Sequence, residues 1–530
     1  MFTLPQWIAL LPPLIVLTST IITRHLLFSL SLGLFSGALI ATTFRPLEAA
    51  ALLLKRVTEQ ITDIDMLYVY LFLICIGILI SLLDATGAAK AAALHIRKKI
   101  NTTPAAEKTT FWLSLSMSID DYLNCLTVGY VMRPLTDSVG IAREKLAYLL
   151  HTFAGPLVVL IPISTWGTFI TSQLDSAGIK PTAEEGAKII ADPFWVYLQS
   201  IPYIFYSLFA IASAWYIIKK RISFGPMQRA EFIAQQSVHT TLQQDMSDNK
   251  AHLSDLLIPL AILVVSVGIG MLYAGGYWLM GGTHTLLETL RNNDQAFAVL
   301  GISSMITVAA SISLSLLRKQ IRLRNLGSIA YEGVQLMIGA ITLIILASSL
   351  GSILRIDLET GQYLASLLLG HLPIMLLPIL MFLVGTLTST LIGTAWGTIA
   401  LLFPIAIPMA ITMAESAPEV ITTILVPTIG ALLSGALFGD HTSPIASAGV
   451  MAATSAGCKP IAHVHTSYLY AIPALLGAGI AYLLCGIYMQ PNLLAHTLIR
   501  LLSCLLVGLS TTLAILHLMK RLWSKRHPLT

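Results

Sequence analysis

Long apolar runs recur along the whole chain, and they constrain its fold more than any other feature. We predict about thirteen membrane spans, near residues 7–22, 26–43, 66–84, 146–171, 194–218, 255–275, 297–316, 328–350, 363–384, 397–412, 421–438, 466–488 and 496–517. Most of these runs are long enough to cross a hydrocarbon layer of about 30 Å as a helix. Only a helix satisfies its backbone hydrogen bonds within one such segment, so the sequence predicts an all-α, polytopic membrane protein.

The charge content agrees with this prediction. Of the 530 residues, 56% are hydrophobic and 11% are charged, whereas soluble domains carry about 25% charged residues. So few charges cannot coat soluble domains of ordinary size, which argues against a soluble enzyme, a nucleic-acid-binding protein and a disordered scaffold. The first apolar run has no basic region before it and no cleavage site after it, so we expect it to be retained as a span.

The loop charges predict an orientation. Basic residues cluster in alternate loops, around residues 90–99, 133–145, 219–229, 318–324 and 520–526. The positive-inside rule therefore predicts a cytoplasmic C-terminus and an N-terminus on the outside. This orientation requires the segment 110–131 to enter and leave on the same side, as a re-entrant or broken element.

A long polar stretch divides the chain into three predicted parts. Residues 1–221 would form an N-terminal transmembrane half, residues 222–254 a cytoplasmic linker, and residues 255–530 a C-terminal transmembrane half. The linker is expected to act as a tether, with a regulatory role as the alternative.

Two short segments resemble each other across the predicted halves. Residues 164–170 read STWGTFI, and residues 394–400 read TAWGTIA. Asp121 lies 45 residues before the tryptophan of the first segment, and Asp440 lies 44 residues after that of the second. Each half therefore has one Trp-Gly-Thr element and one acidic element, in opposite order. This pattern favours the paired, broken helices that secondary transporters place near the bilayer midplane.

The first acidic element contains the adjacent residues Asp120 and Asp121, between apolar stretches. Ionisable side chains inside a membrane are costly and usually mark an ion or proton path. Carboxylate oxygens suit a small cation, and Asn124 and Thr127 can add oxygen ligands on the following turn. The alternative for Asp120 is a structural role, in which its side chain caps the helix that begins here.

The second acidic element contains Asp440 and His441, in a segment rich in Gly, Ser, Thr and Pro over residues 432–466. This composition predicts unwound backbone, which is tolerated at membrane depth where it lines a cavity and can coordinate an ion. A cytoplasmic loop with a capping aspartate is the alternative. We predict that His463 and His465 are interfacial residues, not metal ligands.

Other polar residues in the apolar runs are candidates to support such a site. The hydroxyl groups of Thr165, Thr168, Thr394 and Thr398 could supply oxygen ligands or serve only in helix packing. His151 is either a buried, hydrogen-bonded core residue or a group that titrates near physiological pH. The sequence has no GxxxxGK[ST], HExxH or GxSxG motif, which disfavours an ATP-driven pump and the usual hydrolase chemistries.

Taken in order, these motifs resemble those of a known family. The blocks are IDDYLNCLTVGYVMRPLTD, PISTWGTF, GTAWGTIALLFPIAIPMA and GALFGDHTSPI, followed by SAGC and HVHTSY. They are similar to the motifs of the NhaC-type sodium/proton antiporters, at fitting intervals from residue 118 to residue 475. The resemblance implies an ion-transporter-superfamily fold with two inverted repeats, re-entrant hairpins and a homodimer. It also implies exchange of a monovalent cation, or of a small organic acid, against protons or sodium.

The resemblance also assigns residues to the site. The positions that match the family motifs are Asp120, Asp121, Asn124, Thr127, Ser164, Thr165, Trp166, Thr394, Trp396, Thr398, Gly439, Asp440, His441 and Ser443. Two places depart from the family pattern. Ala446, Ser447 and Ala448 stand where the family usually reads Ser-Asp-Thr, and His151 stands where it commonly has an aspartate. Two carboxylates expected of the family are therefore replaced, one by serine and one by histidine.

We predict a secondary active transporter, not an enzyme, that works by alternating access without a cofactor. Asp121 and Asp440 would bind the transported cation or a proton in turn. Sodium/proton antiport is the leading prediction, and proton- or sodium-coupled exchange of a small organic acid or amino acid is the alternative. An intramembrane aspartyl enzyme and a transport-dead scaffold are further hypotheses. The expected surroundings are the lipids of a bacterial inner membrane, with no nucleic-acid partner.

Overall fold

The computed structural model is almost entirely helical, and it describes residues 5–88, 91, 102–182, 188–236, 252, 254–291, 295–368, 371–414, 421–488 and 497–526. Within these residues ten helices are long and apolar enough to span a membrane. A further pair, Pro193–Tyr203 and Phe205–Lys220, is bent by 47° and brings the number to as many as eleven. The predicted all-α, polytopic fold with broken helices is confirmed.

The helices of the N-terminal part are α1 (Leu11–Thr23), α2 (Leu26–Ala41), α3 (Pro46–Thr62), α4 (Ile64–Thr86), α5 (Thr103–Ser116), α6 (Asp121–Leu123), α7 (Gly129–Ser138), α8 (Arg143–Phe153), α9 (Gly155–Val158), α10 (Thr165–Ser176), α11 (Pro193–Ser200), α12 (Phe205–Lys220) and α13 (Gly225–Gln236). A π-helical turn, Asn124–Val128, joins α6 to α7. Two very short strands, β1 (Ile179–Lys180) and β2 (Ile189–Ile190), pair in parallel after α10.

The helices of the C-terminal part are α14 (Ser254–Ala274), α15 (Leu286–Arg291), α16 (Ala296–Leu317), α17 (Leu326–Ser352), α18 (Thr360–Leu368), α19 (Leu377–Ile392), α20 (Ala395–Ala414), α21 (Ile421–Thr442), α22 (Ser447–Ala456), α23 (Pro460–Ile487) and α24 (Thr497–Arg526). A second π-helical turn, Ile353–Asp357, extends α17.

Three of the thirteen predicted spans differ from the structure. The span 26–43 corresponds to α2, a helix of only 16 residues. The span 146–171 is divided among α8, α9 and α10, because the backbone leaves the helical conformation at Ala154 and again before Ser164. The predicted span 363–384 lies too far toward the N-terminus, because the spanning helix in the structure covers Ile374–Ile392.

Residues 102–139 form a helical hairpin whose two ends meet. The arm α5 leads to a tip at residues 117–120, and α6, the π-helical turn and α7 lead back. The hydroxyl of Thr103 at the start of α5 donates to the carbonyl of Val139, just after α7, at 3.1 Å. The chain therefore enters and leaves this element at neighbouring points. That both points lie on one side of a membrane stays a prediction.

The helices α19 and α21 pack against each other through small residues. A Cβ atom added to Gly435 would lie 2.3 Å from the carbonyl oxygen of Phe382, and one added to Gly439 would lie 2.4 Å from the Cβ of Ser389. The Ser389 hydroxyl also donates to the carbonyl of Ala436 at 2.6 Å. These contacts advance in the same direction along both helices, so the two helices run parallel. Small side chains allow such a close approach of membrane helices.

The helix α13 is attached to the bundle by a buried ion network. The Lys145 Nζ on α8 lies 2.6 Å from the Glu107 Oε1 on α5 and 2.5 Å from the Glu231 Oε1 on α13. The network therefore joins the hairpin, α8 and the first part of the predicted linker. Residues 237–251 and 253 of that linker lie outside the described residues, and the division of the chain into two halves stays a prediction.

Candidate functional site

Asp120 lies at the tip of the hairpin, where its carboxylate accepts two hydrogen bonds. Oδ1 accepts from the backbone N–H of Leu123 at 2.9 Å, which is a helix-capping interaction. Oδ2 accepts from the hydroxyl of Thr165 at 2.9 Å. The N–H of Thr165 also donates to the carbonyl of Ile119 at 2.9 Å. Asp120 therefore has the capping role that was its structural alternative, and it binds the tip to the start of α10.

Asp121 differs from its neighbour, because it is 3% exposed and yet its Oδ1 has no hydrogen-bond partner within the described chain. The indole N–H of Trp166 lies beside Asp121 but makes no hydrogen bond of normal geometry. A buried polar group left without a partner costs about 1–3 kcal/mol, and more when it is charged. A proton or a bound cation would remove this cost.

Asn124 begins the π-helical turn and holds the hairpin to α8. Its Nδ2 donates to the carbonyls of Ser114 at 2.8 Å and Phe153 at 3.0 Å. Its Oδ1 is buried without a partner, so it is a second open oxygen one turn after Asp121. Thr127 lies on the same turn and is half-buried. π-helical turns occur frequently at functional sites, where they displace a helical residue from the regular register.

Asp440 lies in the last turn of α21, just before the break at residues 443–446. Its Oδ2 is 3.6 Å from the Nε2 of His151, and the residue is 7% exposed. Ser443 closes the helix, since its N–H donates to the carbonyl of Gly439 at 2.9 Å and its hydroxyl donates to the carbonyl of Thr390 at 3.1 Å. The unwound backbone predicted over residues 432–466 is therefore confined to short breaks, and Asp440 lies on a buried helix.

Three histidines meet beside Asp440. The Nδ1 of His151 and the Nε2 of His463 are 3.0 Å apart, and the ring centroids of His151 and His441 are 4.6 Å apart. His463 is fully buried, so the prediction that it is interfacial is wrong, whereas His465 is exposed. Residues two positions apart on a helix point in nearly opposite directions. Only His463 therefore faces the bundle.

His441 is satisfied as a neutral side chain. Thr152 uses its single hydroxyl hydrogen on the carbonyl of Tyr148 at 2.8 Å. The hydroxyl oxygen of Thr152 lies 3.2 Å from the Nε2 of His441 and must therefore accept a hydrogen bond from the Nε2–H. The Nδ1 of His441 then accepts from the hydroxyl of Tyr206 at 2.7 Å. Both ring nitrogens are engaged, and the sequence analysis had singled out neither Thr152 nor Tyr206, because each is an isolated polar residue in an apolar run.

The two Trp-Gly-Thr elements contact each other. The ring centroids of Trp166 on α10 and Trp396 on α20 are 5.9 Å apart in an edge-to-face arrangement. Trp396 also stacks on Phe169 at 4.2 Å. In the part of the chain that the structure describes, neither indole N–H has a hydrogen-bond partner. The sequence echo therefore marks a real point of contact between the two predicted halves.

The hydroxyl groups of these elements mostly serve the backbone. Thr168 donates to the carbonyl of Ser164 at 3.1 Å, and Thr398 donates to the carbonyl of Thr394 at 2.9 Å. Ser164 caps α10 by accepting the N–H of the glycine three residues later at 3.0 Å. Thr165 is different, because its hydroxyl donates to a carboxylate. Among the candidate threonines, Thr168 and Thr398 are therefore bonded to the backbone, whereas the hydroxyl of Thr165 lies at the site.

The positions that depart from the family pattern lie in the same region. The hydroxyl of Ser447 is 3.0 Å from that of Tyr122, which follows Asp121 directly. His151 lies beside Asp440. The two replaced carboxylates would therefore have stood close to Asp121 and Asp440, where this chain has a hydroxyl and an imidazole.

The described residues contain no group of three or more His, Cys, Asp or Glu side chains arranged to hold a metal ion. The two predicted cation ligands, Asp121 and Asp440, lie on different helices, α6 and α21. What the region offers is two buried carboxylates with neutral oxygen and imidazole neighbours. Such a set can exchange a proton for a monovalent cation, since either one neutralises a buried carboxylate.

Known proteins resemble this chain along most of its length. The sequence profile of the Na+/H+ antiporter family matches residues 159–487. An uncharacterized protein of Haemophilus influenzae is 29% identical over 491 residues, which are 92% of each chain. Among solved structures, MtrF of Neisseria gonorrhoeae, from a class of antimetabolite efflux pumps, is 15% identical with a TM-score of 0.49 over 83% of this chain and 84% of its own. The YdaH transporter of Alcanivorax borkumensis has the same identity and TM-score over 83% of this chain and 89% of its own.

The family profile covers more than half of the chain, and it includes both Trp-Gly-Thr elements and Asp440. The apolar helices described above agree with a protein embedded in a membrane. The chain therefore belongs to the Na+/H+ antiporter family and is an integral membrane protein of the secondary transporter class.

Proposed function

We propose that this protein exchanges a monovalent cation for protons, with Asp121 and Asp440 as the carboxylates that bind both. The observation that carries the proposal is the buried Oδ1 of Asp121, which has no hydrogen-bond partner among the described residues. A cation or a proton can compensate for this charge, but one carboxylate does not hold both at once. Competition for the same oxygen therefore couples the two fluxes.

The two adjacent aspartates have different roles in this proposal. The carboxylate of Asp120 is already bonded to Leu123 and Thr165, so it holds the hairpin tip against α10. Asp121 has no such bond at Oδ1 and is free to exchange its ion. In the proposal Asp440, in the last turn of α21, is the second carboxylate that binds the ion.

Helix interruptions surround these carboxylates on several sides. The tip of the hairpin carries Asp121, the start of α10 carries Trp166, the start of α20 carries Trp396, and Asp440 precedes the break between α21 and α22. Secondary transporters commonly place their sites at such interruptions, because half-helices can open to either side by small movements. Alternating access to Asp121 is the proposed mechanism.

The ends of the hairpin support the proposed orientation. Arg143 lies near them and donates to the carbonyl of Gly457 at 3.3 Å, and Arg133 packs against the same glycine. Basic residues thus gather at the end of the bundle where the hairpin opens. By the positive-inside rule, we propose that this end faces the cytoplasm. The homodimer and the bacterial inner membrane stay predictions.

The test is a flux assay in proteoliposomes that contain a pH-sensitive dye. Gradients of Na⁺, Li⁺ or K⁺ should drive proton movement in the wild-type protein, and Asp121→Asn should abolish it. The amide has the same shape as the carboxylate but cannot be ionised. The matched control is Asp137→Asn, which changes a partly exposed aspartate on the same hairpin and should leave the flux intact. Undiminished flux in Asp121→Asn would refute the proposal.

Coupled exchange of a small organic acid or amino acid is a second candidate. It is favoured by the buried indole N–H of Trp396, which lacks a partner within the described residues, and by the imidazole of His151. The indole N–H and a protonated ring nitrogen of the imidazole are both hydrogen-bond donors that suit a carboxylate. The same vesicles, supplied with labelled organic acids in place of the cation gradient, distinguish the two candidates.

A further inference from the structure

The pair His151 and His463 is buried beside the proposed site, and ion exchange at Asp121 does not itself require it. Their facing nitrogens, Nδ1 of His151 and Nε2 of His463, are 3.0 Å apart, and both residues are at most 1% exposed. The other nitrogen of His151 is 3.6 Å from the Oδ2 of Asp440. The other nitrogen of His463 has no hydrogen-bond partner in the described part of the chain.

The shared hydrogen bond can be arranged in two ways. If His151 donates from Nδ1, its neutral ring presents a lone pair at Nε2 to the carboxylate of Asp440, which is repulsive. If His463 donates from Nε2, His151 accepts at Nδ1 and presents an N–H to Asp440, which is attractive. A hydrogen bond at one nitrogen of an imidazole fixes which nitrogen carries the proton. An ionised Asp440 therefore favours the second arrangement.

The surrounding elements keep the pair in this geometry. A Cβ atom at Gly449 on α22 would lie 3.0 Å from the Cε1 of His151, so a glycine leaves room for the ring. From α21, His441 contacts the His151 ring, but its own nitrogens are bonded to Thr152 and Tyr206. His441 therefore cannot replace His463 as the hydrogen-bond donor to the Nδ1 of His151.

We propose that His463 is a positioning residue of the transport site, which donates to His151 and so fixes His151 as an N–H donor toward Asp440. This inference rests on the proposed function, because it takes Asp440 to be a site carboxylate. The Nε2 of His151 lies 3.6 Å from Asp440 and makes no hydrogen bond in the described residues, so its N–H competes with a cation for this carboxylate by electrostatic attraction alone. The pair thus lowers the affinity for the cation at the place where the family commonly has another carboxylate.

The first test reads the tautomer of His151 directly. In protein labelled with ¹⁵N-histidine and reconstituted in lipid nanodiscs, NMR should show His151 protonated at Nε2 and not at Nδ1. His463→Gln should preserve this tautomer, because the amide N–H₂ replaces the donor. In His463→Leu the preference depends on Asp440 alone, so the Nδ1–H form of His151 should become detectable. His465→Leu, which changes an exposed residue on the same helix, is the matched control and should have no effect. A wild-type His151 protonated at Nδ1 would overturn the proposal without any variant.

The second test separates positioning from packing. In vesicles, His463→Leu should lower the KM for the cation by about three- to tenfold with kcat unchanged, as expected for the loss of a weak contact to a charged group. His463→Gln should match the wild type. An unchanged KM in His463→Leu would overturn the inference. A wild-type protein that moves no cation would refute the proposed function instead, and the NMR tautomer would still decide the role of His463.

Discussion

The buried ion network at Lys145 allows a quantitative test of the fold. The Lys145 side chain is 7% exposed. It pairs with the side chains of Glu107, which is 2% exposed, and Glu231, which is 14% exposed. Lys145→Met keeps most of the side-chain volume but leaves two carboxylates without their cation. Removing one partner from a buried ion pair costs about 3–5 kcal/mol, because a charge remains buried without compensation.

This cost can be converted into a melting temperature. An unfolding entropy of about 2.1 cal/mol/K per residue gives about 1.1 kcal/mol/K for a chain of 530 residues that unfolds in one step. We therefore expect Lys145→Met to lower the Tm in detergent by about 3–5 °C. The assay is fluorescence-detected size exclusion after heating in steps.

The matched control lies two residues earlier on the same helix. Arg143 pairs with Asp137 at 3.0 Å, with side chains 43% and 35% exposed. An exposed pair contributes at most about 1 kcal/mol, so Arg143→Gln should lower the Tm by less than about 1 °C. Glu231→Gln should cost less than Lys145→Met, because Lys145 and Glu107 stay balanced. Equal shifts in Lys145→Met and Arg143→Gln would refute the reasoning from burial.

Two further predictions concern the site and the helix packing. His151→Asp adds a negative charge beside Asp440 and so favours protonation of the site, and we expect the pH optimum of exchange to rise by about one unit. A profile that coincides with the wild type would assign His151 to packing alone. Gly435→Ala forces a Cβ atom to 2.3 Å from the carbonyl oxygen of Phe382, and it should lower the Tm by about 1–3 °C. The control is Gly268→Ala, because an added Cβ there would have no atom of the described residues outside its own helix backbone within 4 Å. Equal Tm values would contradict the close approach of α19 and α21.

Hydropathy predicted most of the fold because each spanning helix must be apolar along its own length. It failed at residues 146–171, where the chain breaks twice within one apolar run. Local signals for the breaks were present: Pro156 lies at the start of α9, and the carbonyl of Pro162 packs against Gly167 at a distance that leaves no room for a side chain. Proline and glycine residues therefore mark these breaks, whereas the hydrophobicity of the run gives no sign of them.

The sequence indicated candidate site residues, but not the contacts between them. The two acidic elements and the two tryptophans were visible, since ionisable and aromatic groups are conspicuous in an apolar chain. The partner of His151 was missed, because His463 lies 312 residues away. The spacing to His465 shows only that one of these two histidines faces the bundle. Which one does so depends on how α23 is rotated against α8 and α21, and no local pattern contains that information.

The parallel contact between α19 and α21 has a mechanical consequence. Backbones this close cannot slide past each other, because the Cβ of Ser389 and the carbonyl of Phe382 lie against glycines on the opposite helix. The two helices must therefore move together as one rigid unit. Asp440, near the end of α21, and Trp396, just beyond α19, would move with this unit. The proposed alternating-access cycle thus involves fewer independently moving rigid units than the number of helices suggests.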